Sequence, residues 1–165
     1  MIQYEAKDFP ENGLEATGED VTVYVPAGMP WREYELFGDK DGSIIVEGEG
    51  NGDAVRTGEG NGDAERTGKG KGDAERTGKG KGDADRSGEG YGNAERYGKG
   101  EGDAWRAGSG DGSAVRSGKG DGSAWRVGDG EGNAWRTGKG DGDAWRTGSG
   151  YGHALRDGDG EGNAT

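Results

Sequence analysis

The chain has 165 residues, of which 41 are glycine and only 27% are hydrophobic, and it carries a formal net charge of −12. This length suits one ordinary globular domain, but the hydrophobic fraction is too small for an ordinary aliphatic core. The acidic balance argues against direct nucleic-acid binding, which needs cations for the phosphates, and the absence of cysteine excludes disulfides and thiolate metal sites.

The first 47 residues are non-repetitive and predict a small N-terminal β cap. β-Branched residues predict strands over 21–25 and 43–47, and residues 31–37 favour a third strand that ends at Gly38. Residues 39–42 form an Asp-Gly-type turn. Because an array of repeats needs its open edge covered, we expect this segment to cap the repeats that follow.

No part of the chain predicts export or membrane insertion. The N-terminus lacks a basic region followed by an apolar stretch, so we expect no secretory signal. The longest aliphatic run, Ile44 to Val46, is far too short to span a bilayer. We therefore expect a soluble cytoplasmic protein with no membrane partner.

Residues 48–165 repeat the unit Gly-x-Gly-x-Gly-x-Ala-x-Arg-x twelve times, with the last copy truncated. Composition alone favours disorder, but a fixed period indicates a repeat architecture. The invariant residues occupy odd positions and the variable ones even positions, which predicts extended backbone with the invariant side inward. We predict an all-β chain, a thin two-faced β-solenoid of ten-residue coils in which residue i lies beneath residue i+10. A bundle of polyproline-II helices is the alternative, although its three-residue turn does not match a period of ten.

Position nine of the repeat is always arginine, and we interpret this column as a structural ladder. Its guanidinium groups would donate to the short acceptors at position six or to bend carbonyls on adjacent coils. A comb that binds phosphate or carboxylate is the functional alternative. The column comprises Arg56, Arg66, Arg76, Arg86, Arg96, Arg106, Arg116, Arg126, Arg136, Arg146 and Arg156.

Position eight is the most informative variable column, because it changes from acidic to apolar along the chain. Its acidic members are Glu65, Glu75, Asp85 and Glu95. Its apolar members are Trp105, Val115, Trp125, Trp135, Trp145 and Leu155. With ten-residue coils the apolar members form one exposed stripe, and such patches mark interfaces. We expect this stripe to bind a protein partner or a second copy of the chain, unless it packs on the cap or stacks on itself.

The acidic members support a second hypothesis, an inhibitor that mimics nucleic acid. Position ten supports a third, ice binding, because its threonine column resembles that of insect antifreeze proteins. That column is interrupted by Tyr97, Ala107, Val127 and Asp157.

No catalytic or metal site is expected. The glycine and aspartate spacing resembles the calcium-binding β-roll, but the period is ten, paired glycines are absent and an arginine follows each position-six residue by three positions. His153 is the only histidine, and we interpret it as a substituted bend residue. No nucleophile–base set is present and a thin rod offers no closed pocket, so we expect neither enzymatic activity nor a cofactor.

The units GDGEGNAWRT, at residues 128–137, and GKGDGDAWRT, at residues 138–147, resemble glycine-rich decapeptide arrays of uncharacterised bacteriophage and prophage proteins. The resemblance covers residues 48–165 and implies neither an activity nor functional residues. It implies that the protein acts in the cytoplasm of a bacterial host, where it could block a host or defence factor.

Overall fold

A computed structural model describes all residues from Met1 to Thr165, and nearly all of its regular structure is β. The only helix is a three-residue 3-10 turn over Ala6–Asp8, and no helix is long and apolar enough to cross a membrane. The strands are β1 Ile2–Glu5, β2 Leu14–Glu15, β3 Val21–Tyr24, β4 Glu33–Phe37, β5 Ile44–Glu47, β6 Asp53–Thr57, β7 Ala64–Arg66, β8 Ala74–Thr77, β9 Ala84–Ser87, β10 Ala94–Gly98, β11 Ala104–Ala107, β12 Ala114–Gly118, β13 Ala124–Val127, β14 Ala134–Thr137, β15 Ala144–Thr147 and β16 Ala154–Asp157.

The strands form two parallel eight-stranded sheets that the chain visits alternately. The odd sheet contains β1, β3 and every later odd-numbered strand in order, and the even sheet contains the even-numbered strands. At about 4.8 Å between neighbouring strands, each sheet is about 34 Å from edge to edge. The predicted two-faced β-solenoid is therefore confirmed.

The length of one coil differs from the prediction. Ala54 pairs with Ala74, and Ala104 pairs with Ala124, so stacked residues are twenty positions apart. The expectation that residue i lies beneath residue i+10 is wrong. Each ten-residue unit supplies one short strand and one glycine-rich bend, which is only half a turn, and two units are needed to return to the same sheet.

The first 47 residues are part of the same solenoid, not a separate β cap beside it. Their strands β1, β3 and β5 begin the odd sheet, while β2 and β4 begin the even sheet. The three predicted strands are present as β3, β4 and β5, whereas β1 and the two-residue β2 were not predicted. These coils enclose an ordinary core, in which Val23, Val46 and Tyr34 are completely buried and Phe9 packs edge-on against Tyr34 at 5.5 Å.

The interior of the repeats is filled by arginine as well as alanine. Nine of the eleven position-nine arginines, from Arg56 to Arg136, have no exposed surface. In a representative coil, Arg86 donates from Nε to the Gly72 carbonyl and from Nη2 to the Gly70 carbonyl, both at 2.8 Å. These carbonyls lie in a bend one coil below, so the arginines bridge successive coils. The structural interpretation of this column agrees with that geometry.

Position six forms a second ladder on the outside of the coils. Its side-chain oxygen accepts the backbone N–H of the residue twenty positions later, as from Asp83 to Asp63 at 2.9 Å and from His153 to Asn133 at 2.8 Å. The expected bonds between position six and arginine are absent, because the two side chains point to opposite sides of the strand. The need for a short acceptor explains why Asp, Asn and Ser recur there.

Glycine is required where adjacent coils touch through their backbones. A Cβ atom on Gly70 would overlap the carbonyl oxygen of Gly50 in the coil below, although the φ angle of Gly70 is ordinary. Gly58 has a φ of 111° and meets Gly38 in the same way. This close contact brings the backbones of successive coils together at the bends.

Candidate interaction surfaces

The predicted apolar stripe is divided between the two faces, because successive units lie on opposite sheets. Trp105, Trp125 and Trp145 lie on β11, β13 and β15 of the odd sheet. Val115, Trp135 and Leu155 lie on β12, β14 and β16 of the even sheet. The single six-coil stripe is therefore wrong, and the molecule carries two shorter apolar clusters back to back.

The odd-sheet cluster, which we call the Trp row, is a continuous stack of three indoles. The ring centroids of Trp105 and Trp125 are 5.6 Å apart, and those of Trp125 and Trp145 are also 5.6 Å apart. The planes are inclined by only 27° and 26°, because parallel in-register pairing places each side chain directly over the next. Trp105 remains 39% exposed and Trp145 37% exposed, so the row presents an apolar ridge about 11 Å long.

Carboxylates lie along the position-six side of the Trp row and at its N-terminal end, and no basic side chain shares its face. Asp85 pairs in register with Trp105 and extends the column toward the N-terminus, where Glu65 follows. Asp103 and Asp143 precede Trp105 and Trp145 by two residues and therefore point to the same face. From residue 63 onward, positions six, eight and ten of the odd sheet contain six carboxylates and three tryptophans but no lysine or arginine.

The even-sheet cluster has no carboxylate at position six, although Asp157 lies beside Leu155 on the same face. Trp135 is 43% exposed and Leu155 50% exposed, and Trp135 pairs in register with Val115 and Leu155. The position-six residue beside this tryptophan is Asn133. Trp135 therefore occupies the same repeat position as the tryptophans of the Trp row, and its exposure is similar to that of Trp105 and Trp145. It is, however, a single indole among aliphatic neighbours.

The predicted acidic face is divided in the same way as the apolar stripe. Glu65 and Asp85 lie on the odd sheet, whereas Glu75 and Glu95 lie on the even sheet. Burial, followed by the charges of Asp83 and Glu65, raises the pKa of Asp85 to about 7, and burial also raises the pKa of Glu65. Each face therefore offers only two acids at position eight, and Asp85 is only partly ionised at neutral pH.

The outer surface is more acidic than the net charge indicates. The eleven position-nine arginines belong to the interior column, which leaves ten other basic side chains against 33 acidic ones. Burial lowers the pKa of Arg86 to about 10, so the interior column is still charged at neutral pH. The exposed lysines lie on the bends, where Lys81 and Lys139 form ion pairs with Glu101 and Asp159 at 2.8 and 3.4 Å. A partner that contacts the sheet faces meets carboxylates and indoles.

The remaining candidates from the sequence do not come together as sites. The position-ten threonines are distributed over both faces, with Thr57 and Thr77 on the even sheet and Thr67 and Thr147 on the odd sheet. No group of three or more His, Cys, Asp or Glu side chains has a geometry that could hold a metal ion. One shallow cavity of about 220 Å³ lies on the N-terminal coils, lined by Tyr24, Glu5, Glu47 and their neighbours.

The sequence interpretation missed that alternate units stack on each other, and not consecutive ones. This stacking decides which outward side chains share a face. No protein-family model, curated protein or solved structure matches the chain.

Proposed function

We propose that this chain is a non-enzymatic protein-interaction module that binds another protein through the Trp row. The observation that carries the proposal is the stack of Trp105, Trp125 and Trp145, whose first and last indoles are exposed. Tryptophan is the residue type most enriched at binding hot spots, and it loses little side-chain entropy when its neighbours already fix it. An apolar ridge with a polar border is typical of an interface.

A different protein fits this surface better than a second copy of the chain. The row is about 11 Å long and the strands are about 13 Å long, so the patch covers about 150 Å², against about 800 Å² per partner in a standard interface. Two copies placed face to face would also bring the carboxylates of both odd sheets together. A foreign partner can reach around the edges of the thin solenoid and avoid this repulsion.

A nucleic-acid mimic is the less favoured function. It requires a long line of negative charge, and the division of Glu65, Glu75, Asp85 and Glu95 between two faces leaves only two position-eight acids on each face. The resemblance of the repeats to phage arrays makes a bacterial host or defence protein the first candidate partner.

The test uses the two faces as each other's control. A partner captured from bacterial lysate on the immobilised chain is purified, and its affinity is measured for wild type, Trp125→Ala and Trp135→Ala. We expect Trp125→Ala to weaken binding by about thirtyfold, the effect of losing a hot-spot residue worth about 2 kcal/mol. Trp135→Ala should change affinity less than threefold.

Two outcomes would contradict the proposal. Loss of binding in Trp135→Ala alone would move the interface to the even sheet. Concentration-dependent dimerisation in sedimentation velocity that Trp125→Ala abolishes would make a second copy the occupant.

A further inference from the structure

We infer that the Trp row recognises a cationic, arginine-bearing polypeptide segment, an inference that rests on the proposed function and names the chemistry of its partner. The sheet face that carries the row offers indoles and carboxylates together and lacks any basic side chain. Such a face is complementary to a group that is positively charged and also flat and weakly hydrated. The guanidinium group has these properties, whereas an ammonium group is compact and strongly hydrated.

The carboxylates beside the row are held in place by hydrogen bonds and can still accept further ones. Asp103 accepts the backbone N–H of Ser123 at 2.8 Å through Oδ1, and Asp143 accepts that of Asn163 at 2.7 Å through the same atom. Neither carboxylate forms an ion pair within the chain, and the Oδ2 atom of each has no hydrogen-bond partner. Two oriented acceptors therefore flank the row, with Ser123 between them.

Their spacing also limits the kind of segment that fits. Asp103 and Asp143 are two coils apart along one column, which corresponds to about 9.6 Å at the spacing of parallel strands. A polyproline-II segment advances about 3.1 Å per residue, so every third residue recurs after about 9.3 Å. A segment with arginine at every third position can place one guanidinium at each carboxylate, with the intervening residues along the indoles.

The even-sheet cluster differs from the Trp row in the residues at position six beside it. Trp135 has aliphatic neighbours in register and Asn133 at the position that Asp103 and Asp143 occupy beside the row. This cluster can bury an apolar group, but its one adjacent carboxylate is Asp157 at position ten, and it has none at position six. Only the Trp row combines stacked indoles with carboxylates at position six, and this combination distinguishes it from the even-sheet cluster.

The experiment uses four twelve-residue peptides in which two prolines follow each arginine, lysine, glutamine or glutamate. Their affinities for the full chain are measured by isothermal titration calorimetry at low and at physiological salt. We expect the arginine peptide to bind with a micromolar Kd, the lysine peptide at least threefold more weakly, and the glutamine and glutamate peptides at least thirtyfold more weakly. Binding that is equal for the arginine and glutamine peptides would overturn the inference.

Matched variants separate recognition at the row from general attraction to an acidic protein. Asp103→Asn with Asp143→Asn should weaken the arginine peptide at least tenfold, and the fold should survive because Asn93 already accepts the equivalent N–H bond at 2.9 Å. Asp73→Asn with Glu75→Gln removes two charges from the even sheet and should change affinity less than threefold. Equal losses in the two double variants would overturn the inference.

The same variants show whether the inference or the proposed function has failed. If the captured protein partner binds the Asp103→Asn, Asp143→Asn variant as tightly as wild type but does not bind Trp125→Ala, the proposed function stands and the cationic partner is wrong. If Trp125→Ala affects neither the arginine peptide nor the captured partner, both are wrong.

Discussion

The N-terminal coils and the repeat coils build the same parallel solenoid around different interiors. In the first 47 residues, valine, isoleucine and aromatic side chains form one buried apolar cluster. In the repeats, the apolar clusters shrink to alanines, such as Ala104, Ala114 and Ala124, and buried arginines fill the remaining space. Burial of apolar surface stabilises the first region, whereas hydrogen bonds to backbone carbonyls and close backbone contact stabilise the second. A solenoid therefore needs in-register stacking more than it needs a particular core.

The N-terminal coils and the repeat coils also differ in how well they tolerate substitutions. A hydrophobic core adapts to substitutions that conserve volume. The repeat interior depends on donors that reach specific carbonyls, and the spacing of its coils leaves no room for an added carbon atom at several glycines. The following predictions test this contrast, from the largest expected effect to the smallest.

Gly70→Ala should destabilise the repeat region most strongly. The added methyl would overlap the Gly50 carbonyl oxygen, and because the φ angle of Gly70 is ordinary, the effect reports coil contact alone. We expect a loss of about 4 kcal/mol or a failure to fold, measured by urea unfolding. Gly28→Ala in the N-terminal coils is the control, because its φ is 85° but no atom lies within 4 Å of the new carbon. Its expected cost is about 1–2 kcal/mol.

Arg96→Ala should cost about 3–5 kcal/mol, as much as truncating a large apolar side chain in the N-terminal core. The change removes the bonds from Nε to the Gly82 carbonyl and from Nη2 to the Gly80 carbonyl, both at 2.8 Å, and leaves a cavity. Arg156→Ala, at a half-exposed arginine of the same column, should cost about 1 kcal/mol. Equal melting temperatures for wild type and Arg96→Ala would show that the interior column does not stabilise the fold.

Stability should fall as the pH rises from about 4 to 8, because burial of Asp85, and after it the neighbouring carboxylates stacked in register, favours the protonated carboxyl in the folded chain. Asp85 has a pKa of about 7 in the folded chain and an ordinary value near 3.9 when unfolded, so the folded state binds the additional proton between these pH values. The protonated carboxyl of Asp85 contributes its full stabilisation below the pKa of the unfolded state. This contribution is lost as the pH rises through the folded-state pKa of about 7. Asp85→Asn should flatten this dependence and raise the melting temperature at pH 8 by about 3–6 °C, after allowance for solvent screening. A melting temperature that rises with pH in the wild type would contradict this assignment.

Asp83→Ala should have the smallest effect, about 1 kcal/mol, because it removes one acceptor on the outside of a coil. Asp83 accepts the backbone N–H of Asp103 at 2.8 Å, and Asp83→Asn retains an acceptor oxygen, so that variant should change stability by less than 0.5 kcal/mol. Amide hydrogen exchange at Asp103 should increase in the alanine variant and remain as in wild type in the asparagine variant. Unchanged exchange in both variants would show that the position-six ladder does not contribute to stability.

The sequence by itself determined the solenoid class, the inward and outward sides of each strand and the structural character of the arginines. These follow from local physics, because alternation in an extended chain assigns each side chain to a face and a recurrent arginine needs recurrent acceptors. A signal for alternate stacking was also present: lysine occupies position two at Lys79, Lys99, Lys119 and Lys139, in every second unit, although Lys69 departs from this alternation. The fixed ten-residue motif obscured this twenty-residue pattern.

Only the tertiary structure decided how many units complete a coil. A ten-residue unit is compatible with one full turn or with half a turn, and its glycines permit either bend. The choice depends on which backbone groups meet in the next coil, as Ala54 meets Ala74 and not Ala64. That long-range pairing divided the apolar column between two faces, stacked Trp105, Trp125 and Trp145, and placed them beside Asp103 and Asp143. The surface that we propose for binding is therefore a consequence of coil register, which no local pattern of residues specifies.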